Sequence, residues 1–185
     1  MLRYGNAAVE LALAMGAKRV IGLGRTKAKL EAWKKNFNSA KAARVEIVAI
    51  TGDAGEDTEL IKAATPQGAG AEIFLDMSPT TATSGSPALL KSAIGVLKLR
   101  GRLVLMGGIF QDIALPYAQI LMKDIQVVGK FMSDRPQVII HLLESGLLDL
   151  DGYDEKVYQG LDKIDEALVD AAENSTYKYG VVLNP

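Results

Sequence analysis

The sequence has no cysteine and only one histidine, and these two shortages exclude several kinds of chemistry. Without cysteine, the chain can form no disulfide, offers no thiolate nucleophile and supplies no sulfur ligand to a metal. The single histidine, His141, is too little for a zinc site or for a serine–histidine–carboxylate triad. It lies among apolar residues at helical spacing, which predicts a packed or partly exposed structural residue. We therefore expect no metal site and no catalytic residue.

An excess of charge of either sign is also lacking. The 21 lysines and arginines nearly balance 22 acidic residues, so no overall field attracts nucleic acid or an anionic membrane. No apolar run is long enough to cross a bilayer, and residues 1–6 lack the zones of a secretory signal. We expect a soluble, cytoplasmic protein with neither nucleic-acid nor membrane partners.

What the chain does contain is a regular alternation of helical and extended patterns over a length that suits one ordinary domain. A helix is predicted first, over 6–15, and it is followed by strands that each precede another helix. The predicted strands are 19–23, 45–50, 71–75, 101–106 and 125–129, and the later helices are 27–37, 57–65, 87–97, 117–122 and 136–145. Strands and helices at this spacing predict parallel βαβ units, and hence an α/β fold with a doubly wound, Rossmann-like sheet.

The alternation stops near residue 150. Beyond it come Val157 and Tyr158 in an extended pattern, a helical stretch over 162–174 and a terminal strand over 179–183. We therefore divide the chain into a doubly wound domain over 1–149 and a C-terminal tail over 150–185.

Four separated stretches occur in an order that is typical of one family. They read YGNAAVELALAMGAKRVIGLGRTKAKLEAW, GAGAEIFLDM, LRGRLVLMGG and ALVDAAENSTYKYGVVLNP. Together they resemble the C-terminal, cofactor-binding part of medium-chain dehydrogenases/reductases, which include zinc-type alcohol dehydrogenases and quinone oxidoreductases. The resemblance covers nearly the whole chain. It implies an NAD(P)-binding domain over 1–149 and a tail that packs, in the family, on a catalytic domain.

The chain departs from the family pattern at its beginning. In the family a catalytic domain comes first and supplies any zinc ligands, and a first cofactor strand then leads into a glycine-rich turn. Only Gly5 stands where the last glycine of that turn would sit. The other interpretation of Gly5 is a simple helix-start residue. The resemblance therefore implies a truncated domain with an incomplete cradle for the diphosphate.

Cations follow the strand that would hold the adenosine ribose. A carboxylate there would bind the 2′-hydroxyl of NAD, whereas arginine accommodates the 2′-phosphate of NADP. The chain has Gly24, Arg25, Thr26 and Lys29, with no acid before Glu31. This predicts a preference for NADP, with NAD as the second choice and no zinc. The alternative is that Thr26 caps the helix and the cations only form its solvated face.

Other candidate cofactor contacts come at the carboxyl ends of later strands, where open α/β sheets bind ligands. The alternative for the glycines is that they serve backbone geometry alone. Asp76, which directly precedes Met77 and Ser78, suits a loop or a helix cap equally well. The candidates are Asp53, Met77, Ser78, Gly107, Gly108 and Ile109.

The leading functional hypothesis is the nucleotide-binding domain of an NAD(P)-dependent, alcohol-dehydrogenase-like oxidoreductase, inactive alone because half of the catalytic cleft is missing. The alternative is a non-catalytic, truncated homologue that acts as a binding or interaction protein. A methyltransferase would need an acid where Arg25 stands.

The missing first strand also has a structural consequence. In the family's strand order it would lie between the strands over 19–23 and 71–75, and without it their backbone groups would lose partners. Either these two strands pair directly, or another chain completes the sheet. The sequence thus predicts a homodimer through exposed strand edges, with the terminal strand over 179–183 as the donor.

Overall fold

The computed structural model describes residues 2–77, 87–109, 111–130, 136–148, 154–173 and 179–184. They form two compact units. The larger unit spans residues 17–134, and the second joins residues 2–16 with residues 135–185.

The helices and strands follow the alternation that the sequence predicts. The strands are β1 (Val20–Gly24), β2 (Val45–Ala49), β3 (Ala71–Asp76), β4 (Leu97–Leu105), β5 (Gln126–Gly129), β6 (Asp154–Gln159) and β7 (Tyr179–Asn184). The helices are α1 (Leu2–Ala14), α2 (Lys27–Lys34), α3 (Ser39–Ala42), α4 (Ala54–Ala63), α5 (Ala88–Val96), α6 (Tyr117–Met122), α7 (Pro136–Glu144) and α8 (Ile164–Glu173). None of the described helices is long and apolar enough to cross a membrane.

The larger unit contains two parallel sheets. One pairs β1 with β2, and the other has the order β3-β4-β5. All of these pairings are parallel, so the predicted α/β, Rossmann-like class is confirmed. Among the described strands, β1 and β3 are not paired with each other. Of the two alternatives for the strands over 19–23 and 71–75, direct pairing is therefore not what the described residues form.

An apolar core joins the two sheets of the larger unit. Side chains from β1 and β2 cluster with side chains from β3 and β4 around helix α5. The central members are Leu23, Val48, Phe74, Leu90, Ile94 and Leu103, all of them buried. Burial of apolar surface in this cluster thus holds both sheets in one unit without hydrogen bonds between β1 and β3.

Among the element boundaries that differ from the sequence prediction, two have identifiable reasons. Helix α4 begins at Ala54 rather than near residue 57, because the Asp53 side chain caps it. Strand β4 begins at Leu97, directly after α5, where the sequence predicts the last residue of a helix. Its first part bulges away from β3, since Ala71 aligns with Leu97 but Ile73 aligns with Arg102.

The second unit contains α1, α7, the parallel pair β6-β7 and α8. The terminal strand β7 thus pairs with β6 of its own chain. Tyr158 of β6 and Asp170 of α8 are both buried and hydrogen-bonded to each other. His141 is exposed on α7.

Candidate functional site

The carboxyl ends of β1 and β2 lie side by side at one edge of the first sheet. Gly24 aligns with Ala49, and the carbonyl of Gly24 accepts a hydrogen bond of 2.9 Å from the amide of Ile50. Gly24 also lets α2 approach the strand, because a Cβ there would come within 3.0 Å of Leu30 Cδ2. Two loops therefore leave the sheet together, one starting at Arg25 and the other at Thr51.

The first loop carries the predicted phosphate-binding residues. Arg25 and Lys29 are exposed, and Arg25 directly follows the last residue of β1. Thr26 holds the N-cap position of α2 with φ −121° and ψ 108°, but its side chain makes no capping hydrogen bond. The first turn of α2 contains no acidic residue. The alternative in which the Thr26 hydroxyl caps the helix is therefore wrong.

The first acid after these cations in the sequence is Glu31, which pairs with a lysine of the same helix. Glu31 lies one turn beyond Lys27, and their charged groups are 4.0 Å apart in a largely solvated pair. The beginning of α2 is thus positively charged and offers a hydroxyl that the helix itself does not use. Such a helix start favours an anion.

The second loop is held by two carboxylates with separate tasks. Asp53 Oδ1 accepts hydrogen bonds from the amides of Gly55 (2.9 Å) and Glu56 (2.8 Å), so Asp53 caps α4. Asp57, one turn later, is fully buried and reaches back to the loop. Its Oδ1 accepts from the Thr51 amide (2.6 Å) and the Thr51 hydroxyl (3.0 Å), and its Oδ2 accepts from the Gly52 amide (3.1 Å).

Asp57 is the residue that sequence reasoning missed. A second acid four residues after a capping aspartate was the available signal, because that spacing places the carboxylate near the loop before the helix. Gly52, directly before Asp53, has φ +95°, a conformation that favours glycine, and a Cβ there would meet no atom within 4 Å. The loop is therefore sharply turned. Asp57 holds it by hydrogen bonds from the protein interior, and its other side is exposed to solvent.

The second sheet brings the remaining candidates to its own carboxyl edge. Asp76 is buried at the end of β3, and its carbonyl accepts a 2.9 Å bond from the amide of Met106, which follows β4. Asp76 is thus the last residue of a strand. The predicted residues Met77, Gly107, Gly108 and Ile109 are all half-buried there, and Ile109 packs on the core. Ser78 lies outside the described residues.

Gly5 lies in the other unit. It belongs to helix α1, so the larger unit alone contains the other predicted contacts that the structure describes. Within the described residues, no group of three or more histidine, cysteine, aspartate or glutamate side chains is placed to hold a metal ion.

A cavity of about 820 Å³ opens between α4, α5 and the segment that leads through α6. Its cations are Lys62, Lys91 and Lys123, and none of the predicted cofactor contacts lines it. The Lys123 ammonium donates to the carbonyls of Ile94, Gly95 and Leu97 at 2.8–3.1 Å, which satisfies the end of α5. Burial, aided by the charge of Lys62, lowers the pKa of Lys123. This cavity is therefore built around a structural lysine.

The model of one protein family, the zinc-binding dehydrogenases, matches residues 5–145 of the 185, which is more than half of the chain. No curated protein matches the chain.

Solved structures resemble the chain closely in fold. The 2R,3R-butanediol dehydrogenase of Bacillus subtilis matches with a TM-score of 0.66 and 16% identity, over 97% of this chain and 47% of that protein. A short-chain alcohol dehydrogenase of Escherichia coli, solved with NADH, matches with a TM-score of 0.66 and 19% identity, over 97% and 49%. A zinc-binding dehydrogenase of Sinorhizobium meliloti, bound to NADP, matches with a TM-score of 0.65 and 19% identity, over 97% and 49%.

The chain thus spans about half the length of the solved structures that it matches. At these identities the likeness shows a shared fold.

Proposed function

The chain belongs to the zinc-binding dehydrogenase family, and we propose that it is the part of an alcohol-dehydrogenase-like oxidoreductase that binds NADP(H) and positions its nicotinamide. The observation that carries the proposal is the juxtaposition of two loops at the ends of β1 and β2, where Gly24 and Ile50 are hydrogen-bonded. In open α/β sheets this edge receives the ligand. One loop offers a cation and an unused hydroxyl, and the other an open glycine turn.

The choice of NADP over NAD depends on the first loop. One solved neighbour carries NADH and another NADP, so the choice rests on this chain's own residues. Arg25 is exposed beside the uncapped start of α2, and a guanidinium binds phosphate through paired, charge-assisted hydrogen bonds. Thr26 and the backbone amides at the start of α2 would add further donors. No acid in that first turn repels a phosphate.

The nicotinamide supplies the hydride chemistry when the cofactor is bound. This chain would bind the adenosine end and orient the remainder along the carboxyl edges of β3 and β4, beside Met77, Gly107, Gly108 and Ile109. We propose Ser78 and Gly5 as further contacts on the sequence pattern alone. No residue of this chain is assigned as acid, base or metal ligand.

We propose further that the chain has no dehydrogenase activity alone. Hydride transfer needs a substrate held at near-attack distance from the nicotinamide, and the chain spans about half of its solved neighbours. The second half of the cleft would have to come from elsewhere. A cytoplasmic location is part of the same proposal.

Two assays test the proposed function. Titration of the purified chain with NADPH, followed by the fluorescence of the reduced nicotinamide, should show saturable binding. The same preparation should then give no NADPH oxidation above the buffer rate with simple alcohols, aldehydes or quinones. Absence of saturable binding would refute the cofactor role, and sustained oxidation would refute the claim of inactivity.

A second candidate is a non-catalytic binding or interaction protein. The observation that favours it is the open edges of β1 and β3, which lack strand partners among the described residues. Unpaired edges are templates for pairing with another chain. Under this function the chain would bind no dinucleotide but would form a defined complex, so the same NADPH titration distinguishes the two candidates.

A further inference from the structure

The buried Asp57 carboxylate has a position that suits a task beyond stabilising α4. Its two oxygens accept three hydrogen bonds from Thr51 and Gly52, and both residues lie in the loop that leaves β2. The side chain is fully buried, whereas Thr51 and Gly52 are exposed. The carboxylate therefore fixes the loop from the protein interior while the loop presents its other side to solvent.

The loop that Asp57 fixes borders the proposed phosphate-binding loop. The amide of Ile50, one residue before Thr51, donates to the carbonyl of Gly24, one residue before Arg25. A displacement of the second loop would therefore alter the edge beside which Arg25 projects. The two loops thus lie side by side at the carboxyl ends of β1 and β2, where we place the ligand.

Three features make the loop conformation sensitive to Asp57. Gly52 has φ +95°, a backbone conformation with many nearby alternatives for glycine in a free chain. A carboxylate accepts backbone hydrogen bonds strongly, and those formed out of water are costly to lose. Finally, Asp53 Oδ1 accepts from the amides of Gly55 and Glu56 in α4. Asp57 is therefore the carboxylate that accepts the bonds from Thr51 and Gly52.

We propose that Asp57 is a positioning residue for the adenosine end of the cofactor. It makes no contact with the ligand but preorganises residues 51–53, which do. This inference rests on the proposed NADP(H) function. It predicts that the loss of Asp57 weakens every ligand that contains the adenosine half, including adenosine 2′,5′-bisphosphate, which lacks the nicotinamide half.

The variant that tests the proposal is Asp57→Asn. One amide oxygen can still accept from Thr51, but the amide nitrogen then faces the Gly52 N–H, so two donors oppose each other. The matched control is Glu56→Gln, which makes the same chemical change one residue earlier on an exposed side chain. Binding of NADPH and of adenosine 2′,5′-bisphosphate is measured by calorimetry well below the unfolding temperature. Circular dichroism and Trp33 emission report the fold, and amide NMR shifts report Thr51 and Gly52.

We expect Asp57→Asn to raise both dissociation constants about tenfold, since a charge-assisted bond is lost. The Thr51 and Gly52 amides should shift while Trp33 emission stays that of the wild type, and Glu56→Gln should bind like the wild type. If the wild type binds and Asp57→Asn binds equally well despite shifted amides, Asp57 is only structural and the inference is overturned. If the wild type binds neither ligand, the proposed function fails and the inference falls with it.

A second variant keeps the proposal falsifiable if Asp57→Asn does not fold. Thr51→Val removes the hydroxyl, which donates to Asp57 and accepts from the Asp53 amide at 3.2 Å, and leaves the carboxylate buried with its two amide partners. It should weaken both ligands by about threefold, less than Asp57→Asn, because the carboxylate keeps its two bonds from the loop amides. Wild-type affinity in Thr51→Val would then overturn the inference.

Discussion

The phenol hydroxyl of Tyr158 donates a hydrogen bond of 2.8 Å to Oδ2 of Asp170, and both side chains are buried in the smaller unit. This bond ties strand β6 to helix α8. The ammonium of Lys156 lies 3.1 Å from the same oxygen and 5.0 Å from the centre of the Tyr158 ring. Tyr158 first, and Asp170 second, raise the pKa of Lys156. Its charge therefore supports the folded state below the ordinary lysine pKa, and this support is lost as the pH rises above it.

Removal of the Tyr158 hydroxyl should destabilise the smaller unit. Tyr158→Phe leaves a buried carboxylate with one bond fewer, at a cost of about 1–3 kcal/mol in the free energy of unfolding. Tyr117→Phe is the matched control, because Tyr117 is 76% exposed and should change nothing. Urea unfolding followed by circular dichroism measures both. Equal stabilities for the two variants would show that the Tyr158–Asp170 bond contributes nothing.

Gly22 is required by the packing of α2 on β1. A Cβ at Gly22 would lie 2.5 Å from Cζ3 of Trp33, and Trp33 is buried with its ring at right angles to that of Phe37. Gly22→Ala should therefore destabilise the larger unit by about 1–3 kcal/mol, since an overpacked core must shift its side chains. The control is Gly129→Ala in β5, where a Cβ meets nothing within 4 Å. A shift of Trp33 emission in Gly22→Ala alone would support this account, and an unperturbed Gly22→Ala would contradict it.

Lys123 should stabilise the end of α5 through its three carbonyl partners. Lys123→Met keeps the apolar stem but leaves those carbonyls without their donor, so we expect a loss of about 1–3 kcal/mol. Lys91→Met in the same cavity is the control, since Lys91 is exposed and makes none of these contacts. Thermal unfolding compares the two. A Lys91→Met variant as unstable as Lys123→Met would assign the effect to charge in the cavity rather than to the carbonyl bonds.

Much of this architecture could be predicted from the sequence because apolar periodicity is a local signal. The α6 prediction matches its observed bounds, and the five predicted strands of the doubly wound domain are all present within a few residues. The beginning of β4 could not be predicted. Its bulge includes Arg100 at φ +61°, and the Arg100 amide donates to the carbonyl of Lys123, a contact that local apolar periodicity does not predict.

Some residues of the candidate site could likewise be predicted from the sequence, and others could not. The cations after β1 were visible because a strand end followed by Gly24 and Arg25 is a short motif. Asp57 was missed because its spacing from Asp53 places it near the loop but does not show that its carboxylate is buried and hydrogen-bonded there. At Thr26 the sequence left two interpretations open, and the structure removes the one in which the hydroxyl caps the helix.

The predicted homodimer can be tested by a substitution on β3, whose open edge would pair with another chain. Ile73 is 57% exposed on this strand, and a lysine on an edge strand discourages pairing with another chain. We expect a dimer by light scattering for the wild type and a larger monomer fraction for Ile73→Lys. Leu99→Lys, at a side chain 68% exposed on β4, is the control and should stay dimeric. A stable wild-type monomer at low concentration would refute the dimer.

The central claim is that NADP(H) binds at the carboxyl ends of β1 and β2 with its 2′-phosphate at Arg25. The most direct test is the ratio of the dissociation constants for NADH and NADPH, measured in parallel on the wild type, Arg25→Ala and the control Lys35→Ala. We predict a ratio of about ten or more for the wild type and for Lys35→Ala, because charge-assisted bonds to the extra phosphate favour NADPH. The ratio should fall to about one in Arg25→Ala. NADH binding as tightly as NADPH to the wild type, or an unchanged ratio in Arg25→Ala, would contradict the account.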